Sequence, residues 1–140
     1  MGFSGDAVTN GGNFDVSSEA TISFTGTTAN AETNTPENKV IVVTDGGDIA
    51  VNAVRGSTGT ISVEVVNAVL DASDKATDGT ANGNVKIKAE TKTETYSWAI
   101  GMESVAEIDI ENSAITGDNV NVFASASNTG VVGQEPEKVT

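Results

Sequence analysis

Six aspartates lie in polar turns where oxygen ligands could gather. Asp45 and Asp48 flank a Gly-Gly pair, Asp71, Asp74 and Asp78 share one stretch with Asn82 and Asn84, and Asp118 precedes Asn119. Calcium takes roughly six to eight oxygens from carboxylates and carbonyls, so these turns are the candidate metal sites and Ca2+ the cofactor they would hold. The spacing in 71–84 is not that of an EF-hand loop, and the Gly-Gly-x-Gly-x-Asp nonapeptide of calcium-binding β-rolls is absent from the sequence. A conformational reading competes: Asp and Asn bond their own backbone and tolerate left-handed angles, which suits them to turns. That reading is favoured here, and no cofactor is expected.

Other chemistry is bounded by what the chain lacks. It has no Cys and no His, which removes disulfides, thiol catalysis, imidazole bases and ordinary zinc or copper sites. Arg55 is the one arginine, and Lys86, Lys88 and Lys92 are the clustered lysines. On a strand these lysines fall on the face opposite Val85 and Ile87, as an outward solvated stripe. Glu64, Glu107 and Asp109 point outward by the same parity, and nothing marks a carboxylate pair of the kind glycoside hydrolysis needs. Thr91, Thr93 and Thr95 form an alternating row that would suit an ice-binding face only if repeated at neighbouring levels, and it is not. Tyr96 and Trp98 would suit sugar stacking, yet parity with Ile100 assigns them to a core. No catalytic residue is expected.

The elements that position these residues show a period. Phe14, Ile49, Val85 and Val120 are 35, 36 and 35 positions apart. Each follows Asn or Asp and opens an apolar-x-apolar-x-small run: Phe14-Asp15-Val16, Ile49-Ala50-Val51-Asn52-Ala53, Val85-Lys86-Ile87-Lys88-Ala89 and Val120-Asn121-Val122-Phe123-Ala124. Between them lie further alternating runs at Ile22–Phe24, Ile61–Val65 and Val105–Ile110 and a nearly continuous apolar run at Val40–Val43. Val, Ile and Thr crowd these segments, and none has a helical period. Residues 1–12 read as a loose lead-in, 26–38 and 71–83 as outward loops, and 131–140 as a polar, frayed tail. The 140 residues suit one domain, here 1–130, with repeats starting near 13, 48, 84 and 119.

A fixed period built only of strands predicts a solenoid, since one repeat cannot bury its inward residues alone. The expected fold is all-β: a parallel β-helix of about 35 residues per repeat, with three sides and three to four coils. Phe14, Ile49, Val85 and Val120 should stack as core, with Val122 beside them and Ala53, Ala89, Ala124 and Ala126 at tight inward positions.

The run from Ala106 to Ala126, with Ile115-Thr116-Gly117-Asp118-Asn119-Val120-Asn121-Val122 at its centre, resembles one repeat of the large secreted right-handed β-helix proteins of bacteria. These are the filamentous-haemagglutinin-like and giant surface adhesins. The match is good over 105–126, fair at 47–53 and 83–91, and weak at 12–18, and the coil is long for a bare three-strand rung. The resemblance implies a right-handed coil, an extracellular or cell-surface location as part of a longer secreted protein, and a non-enzymatic stalk or binding module. Its partners would be a host or neighbouring-cell surface glycan or protein, met by loops. A self-assembling filament subunit joined end to end is the alternative, and a carbohydrate-active enzyme on a β-helix a distant third.

Charge and hydropathy narrow the partners further. Seven basic residues against 20 acidic give a net charge of −13, so nucleic acid and anionic membrane surfaces are not expected partners. Apolar runs are too short to cross a bilayer. Residues 1–5 lack the character of a signal peptide, and Met1 is read as an added start on an excised piece.

Overall fold

In β9 (Val85–Glu94), Val85, Ile87, Ala89 and Thr91 are buried, whereas Lys86 and Lys92 are exposed and Lys88 and Glu90 half-exposed. Side chains of a strand alternate between faces, so the sequence pattern is enough to turn one face inward. The same rule makes β4 (Ile22–Thr25), β5 (Val40–Val43), β6 (Ile49–Arg55), β7 (Gly59–Val66) and β8 (Ala68–Asp71). Their inward residues, including Ile22, Phe24, Val42, Val51, Val63 and Leu70, form one buried cluster with those of β9.

The computed structural model describes residues 1–56, 59–74, 82–94, 98–102, 104–129, 132–134 and 138–139. Among them the protein is all-β, with no helix. The remaining strands are β1 (Gly2–Phe3), β2 (Asp6–Val8), β3 (Phe14–Ser18), β10 (Trp98–Met102), β11 (Ser104–Glu111), β12 (Ala114–Thr116), β13 (Val120–Thr129), β14 (Val132–Gln134) and β15 (Lys138–Val139). They form three parallel sheets, ordered β1-β4-β7-β11-β15, β2-β5-β8-β12 and β3-β6-β9-β13, and a separate parallel pair, β10-β14. From β1 to β9 the chain visits the three sheets in strict rotation, so neighbouring strands of a sheet belong to successive sets of three, or tiers.

In the third sheet Phe14 pairs with Ile49, Ile49 with Val85 and Val85 with Val120. The stacking expected from the spacing is therefore present as register. Elsewhere the interval is not kept throughout: Asp6 pairs with Ile41 across 35 positions, but Gly2 pairs with Ser23 across 21. Ile22 pairs with Val63 and Val63 with Ile108, separations of 41 and 45, whereas Val40 pairs with Ala68 only 28 positions on. Three excursions at different corners make up the difference: residues 26–39 between β4 and β5, 72–84 between β8 and β9, and β10 between β9 and β11.

Several expectations need correction. The lead-in is ordered as β1 and β2, which pair with β4 and β5; strands of two and three residues are too short to alternate visibly. The stretch 131–140 contributes β14 and β15, paired with β10 and β11. The later tiers add a further strand each, β10 and β14, to the three sides expected. Val120 and Val122 keep the core register of Val85 and Ile87, yet they are 43% and 48% exposed because β13 is the edge of its sheet. Of the small inward residues, Ala53, Ala89 and Ala126 are buried and Ala124 is half-buried.

Candidate functional site

The turn into each strand of the third sheet is built from stacked small and amide-bearing residues. In the first two tiers it is Thr9-Asn10-Gly11-Gly12 and Thr44-Asp45-Gly46-Gly47. Asn10 and Asp45 both have φ 52°, followed by Gly11 at 98° and Gly46 at 101°. Two successive positive angles make a type I′ turn, where Asn or Asp then Gly is preferred. The Thr9 and Thr44 hydroxyls donate to the Gly12 and Gly47 carbonyls, and the Gly12 and Gly47 N–H groups bond back to the Thr9 and Thr44 carbonyls at 3.2 and 3.4 Å. Asp45 thus holds a turn position that needs its residue type for backbone reasons.

The glycines that close these turns stack on one another. A Cβ on Gly47 would strike the Gly12 carbonyl oxygen, one on Gly83 the Gly47 carbonyl oxygen, and one on Gly117 would lie 2.9 Å from the Gly83 oxygen. Beside this glycine column runs a ladder of side-chain oxygens. Asn13 Oδ1 accepts the Asp48 N–H at 2.9 Å, Asp48 Oδ1 accepts the Asn84 N–H at 2.8 Å, and Asn84 Oδ1 accepts the Asn119 N–H at 3.2 Å. The Asn119 amide also donates to Asn84 Oδ1 at 3.2 Å and to Asp118 Oδ2 at 3.3 Å. Asp48 and Asp118, offered above as calcium ligands, are here partners of backbone and amide N–H groups.

The ladder lines an open groove of about 350 Å³. Its walls carry Asn13, Asn84, Asn119 and Asn121, the carboxylates of Asp15 and Asp48, and the Lys86 ammonium. Such a lining offers donors and acceptors for a hydroxylated ligand. Among the described residues no group of three Asp or Glu side chains stands close enough to hold a metal ion. Asp71 Oδ1 accepts the Ser73 N–H at 2.9 Å and the Ser73 hydroxyl at 2.5 Å, and the Asp74 N–H bonds Asn82 Oδ1 at 2.8 Å. Asp78 lies outside the described residues.

A second amide column marks the corner between the first and second sheets. Asn67, fully buried at φ 51°, is the single residue between β7 and β8. Its amide donates to the Thr27 carbonyl at 2.6 Å, and its Oδ1 accepts the Asn112 amide at 3.0 Å. Asn112 also has a left-handed angle, φ 46°. Short polar side chains tolerate that conformation best after glycine, so one residue makes the bend and fastens it to its neighbours.

Above this corner stands a feature with no periodic signal. Residues 27–38 form an antiparallel hairpin, with Thr27 and Asn38 bonded in both directions at 2.8 Å and Asn30 and Thr35 in both directions at 2.9 Å. Inside its tip, Asn30 Oδ1 accepts the Glu32 and Thr33 N–H groups at 2.9 and 3.3 Å, and Asn34 turns at φ 55°. Thr27 to Asn34 are exposed. The sequence predicts only an outward loop over 26–38, because a hairpin with four residues between Asn30 and Thr35, turning at Asn34, leaves no apolar alternation to read.

The other expected sites fall as follows. Lys86 and Lys92 point to solvent, and Lys88 pairs with Glu90 at 3.4 Å. Thr91, the first of the threonine row, faces inward and is fully buried, with its hydroxyl unpartnered; the positions in register with it are Arg55 and Ala126. Thr95 and Tyr96, with the side chains of Thr93 and Trp98, lie outside what is described. Glu64 is exposed and accepts the Ser23 hydroxyl at 3.0 Å. No protein-family model matches the chain, and no curated protein or solved structure matches it.

Proposed function

We propose that the chain is a right-handed parallel β-helix of about 35 residues per coil, with three to four coils, serving as a non-enzymatic module of a bacterial cell-surface or secreted adhesin. The rotation of strands among three parallel sheets and the locked register of Phe14, Ile49, Val85 and Val120 support the coil. The observation that carries the functional half is the 27–38 hairpin. It is held by its own backbone bonds, exposed except at the half-buried Thr35, and anchored by the buried Asn67 amide. A self-paired loop on a rigid stack presents hydroxyl and amide groups with little entropy left to lose on contact. The partner class that suits Thr27, Thr28, Asn30, Glu32 and Thr33 is a surface glycan or a polar protein face.

The test is binding to immobilised cell-surface glycans and intact cells by the chain and by a variant in which 28–37 is replaced by two glycines. The reading expects binding by the first, loss of binding by the second, and superimposable circular dichroism. Equal binding by a folded hairpin-less variant, or none by the parent chain, would overturn it.

A further inference from the structure

The two ends of the stack differ. At the β3 end, Phe3 stacks on Phe24 at 4.8 Å and meets Phe14 edge-on at 6.0 Å, leaving Phe24 fully buried and Val16 only 8% exposed. At the β13 end, several large apolar residues in register with buried ones are uncovered, although Ala106 and Ala126 remain buried. Val120 and Val122 stack over Val85 and Ile87, and Ile110, which pairs with the buried Val65, is 38% exposed. The amide ladder also stops there. The side-chain oxygens of Asn13, Asp48 and Asn84 each accept an N–H from the next tier, whereas Asn119 Oδ1 accepts none among the described residues.

Backbone directions are open on the same two edges. The Phe14 N–H goes to the Asp48 carbonyl, so in a parallel ladder the Asp15 and Ser17 N–H groups face the free edge of β3. The Val85 N–H goes to the Asn119 carbonyl, so the Val120 and Val122 N–H groups face the free edge of β13.

We propose that the β13 end docks the β3 end of a second copy of this chain, head to tail. Val120 then lies over Phe14, Val122 over Val16, and Asn119 Oδ1 receives the Asn13 N–H. The choice of occupant rests on pairing already made inside the chain. β6 binds β3 on one edge and β9 on the other, with Asn or Asp, then an apolar residue, in step on both. One edge of such a tier is therefore complementary to the opposite edge of another, and the contact recurs three times within the third sheet. A head-to-tail contact does not close on itself, so it propagates into a fibre. Two chains of net charge −13 repel, so association strengthens as salt screens them. This inference rests on the β-helical reading above.

Sedimentation velocity at high salt over a wide range of protein concentration tests it, using two single-end variants. Val122→Lys sets a charge on the β13 end, and Ser17→Pro removes an N–H from the β3 edge. Asp15→Pro replaces the latter if its melting temperature falls below that of the parent. The parent chain is expected to grow past dimer with concentration. Each variant alone is expected to associate about tenfold more weakly or worse, while their equimolar mixture stops at a dimer, since one usable end remains on each. A parent chain that is monomeric throughout, a mixture that stays monomeric, or a Ser17→Pro chain that associates like the parent would overturn the proposal. A monomeric parent in which the Asn52/Lys88 cysteine pair described below still cross-links would reject end-to-end docking and leave the β-helical reading intact.

Discussion

The Asp48 carboxylate accepts the backbone N–H of Asn84 at 2.8 Å, across 36 positions of sequence. The same bond joins Asn13 to Asp48 and Asn84 to Asn119, so a residue that could have been a metal ligand is one rung of a ladder between tiers. A single oxygen suffices for the bond. Asp48→Asn is expected to melt within a degree or two of the parent, and Asp48→Ala to lose about 1 kcal/mol, both read by urea unfolding. Equal loss in the two variants would show that the negative charge, and not the rung, is what position 48 contributes.

The glycine column makes a sharper demand. A methyl group on Gly83 meets the Gly47 carbonyl oxygen, whereas one on Gly56 meets nothing within 4 Å. Gly83→Ala should cost about 1–3 kcal/mol as the tiers are forced apart. Gly56→Ala should be neutral or stabilising by up to about 1 kcal/mol through the unfolded chain. Thermal melts of the pair check this, and similar melting temperatures would contradict the close stacking at Gly83.

These two columns show how far the sequence could be read. The interval from Phe14 to Ile49, Val85 and Val120 was legible because a strand that must stack repeats its inward residues. The turn at Asp45-Gly46 was legible because only a few residue types accept positive φ, whereas its counterpart at Asn10-Gly11 lies in the stretch expected to be a loose lead-in. The role of Asp48 was not, because its partner lies one tier away and is fixed by register between strands. Nor was the cause of the even spacing. The hairpin at 27–38, the insertion after Ala72 and the strand β10 each lengthen a different corner, and the near-equal spacing in the third sheet hides pairings elsewhere that range from 21 positions (Gly2 with Ser23) to 45 (Val63 with Ile108). Parity assigned Val120 and Val122 to an inward face correctly, but says nothing of whether a further tier covers that face.

Thr91 offers a test of the interior. It occupies the inward face of β9 after Val85, Ile87 and Ala89, fully buried, with a hydroxyl that meets no partner. A buried hydroxyl without a bond costs about 1–3 kcal/mol, and valine has nearly the same shape. Thr91→Val is therefore expected to stabilise the protein by about 1 kcal/mol in urea unfolding. Destabilisation of that size would mean the hydroxyl is bonded in solution, through water or a neighbour.

The central claim is the parallel register between tiers, and the absence of native cysteine allows it to be measured directly. Asn52 and Lys88 are Cα partners on β6 and β9, inside the separation a disulfide spans. Lys92, four residues further along β9, is displaced by roughly 13 Å. Oxidation of the double variants Asn52→Cys/Lys88→Cys and Asn52→Cys/Lys92→Cys, followed on non-reducing gels with mass spectrometry, reads the register. The stacked arrangement predicts rapid, near-complete intramolecular cross-linking of the first and little of the second. Equal cross-linking of both, or preference for the second, would contradict it.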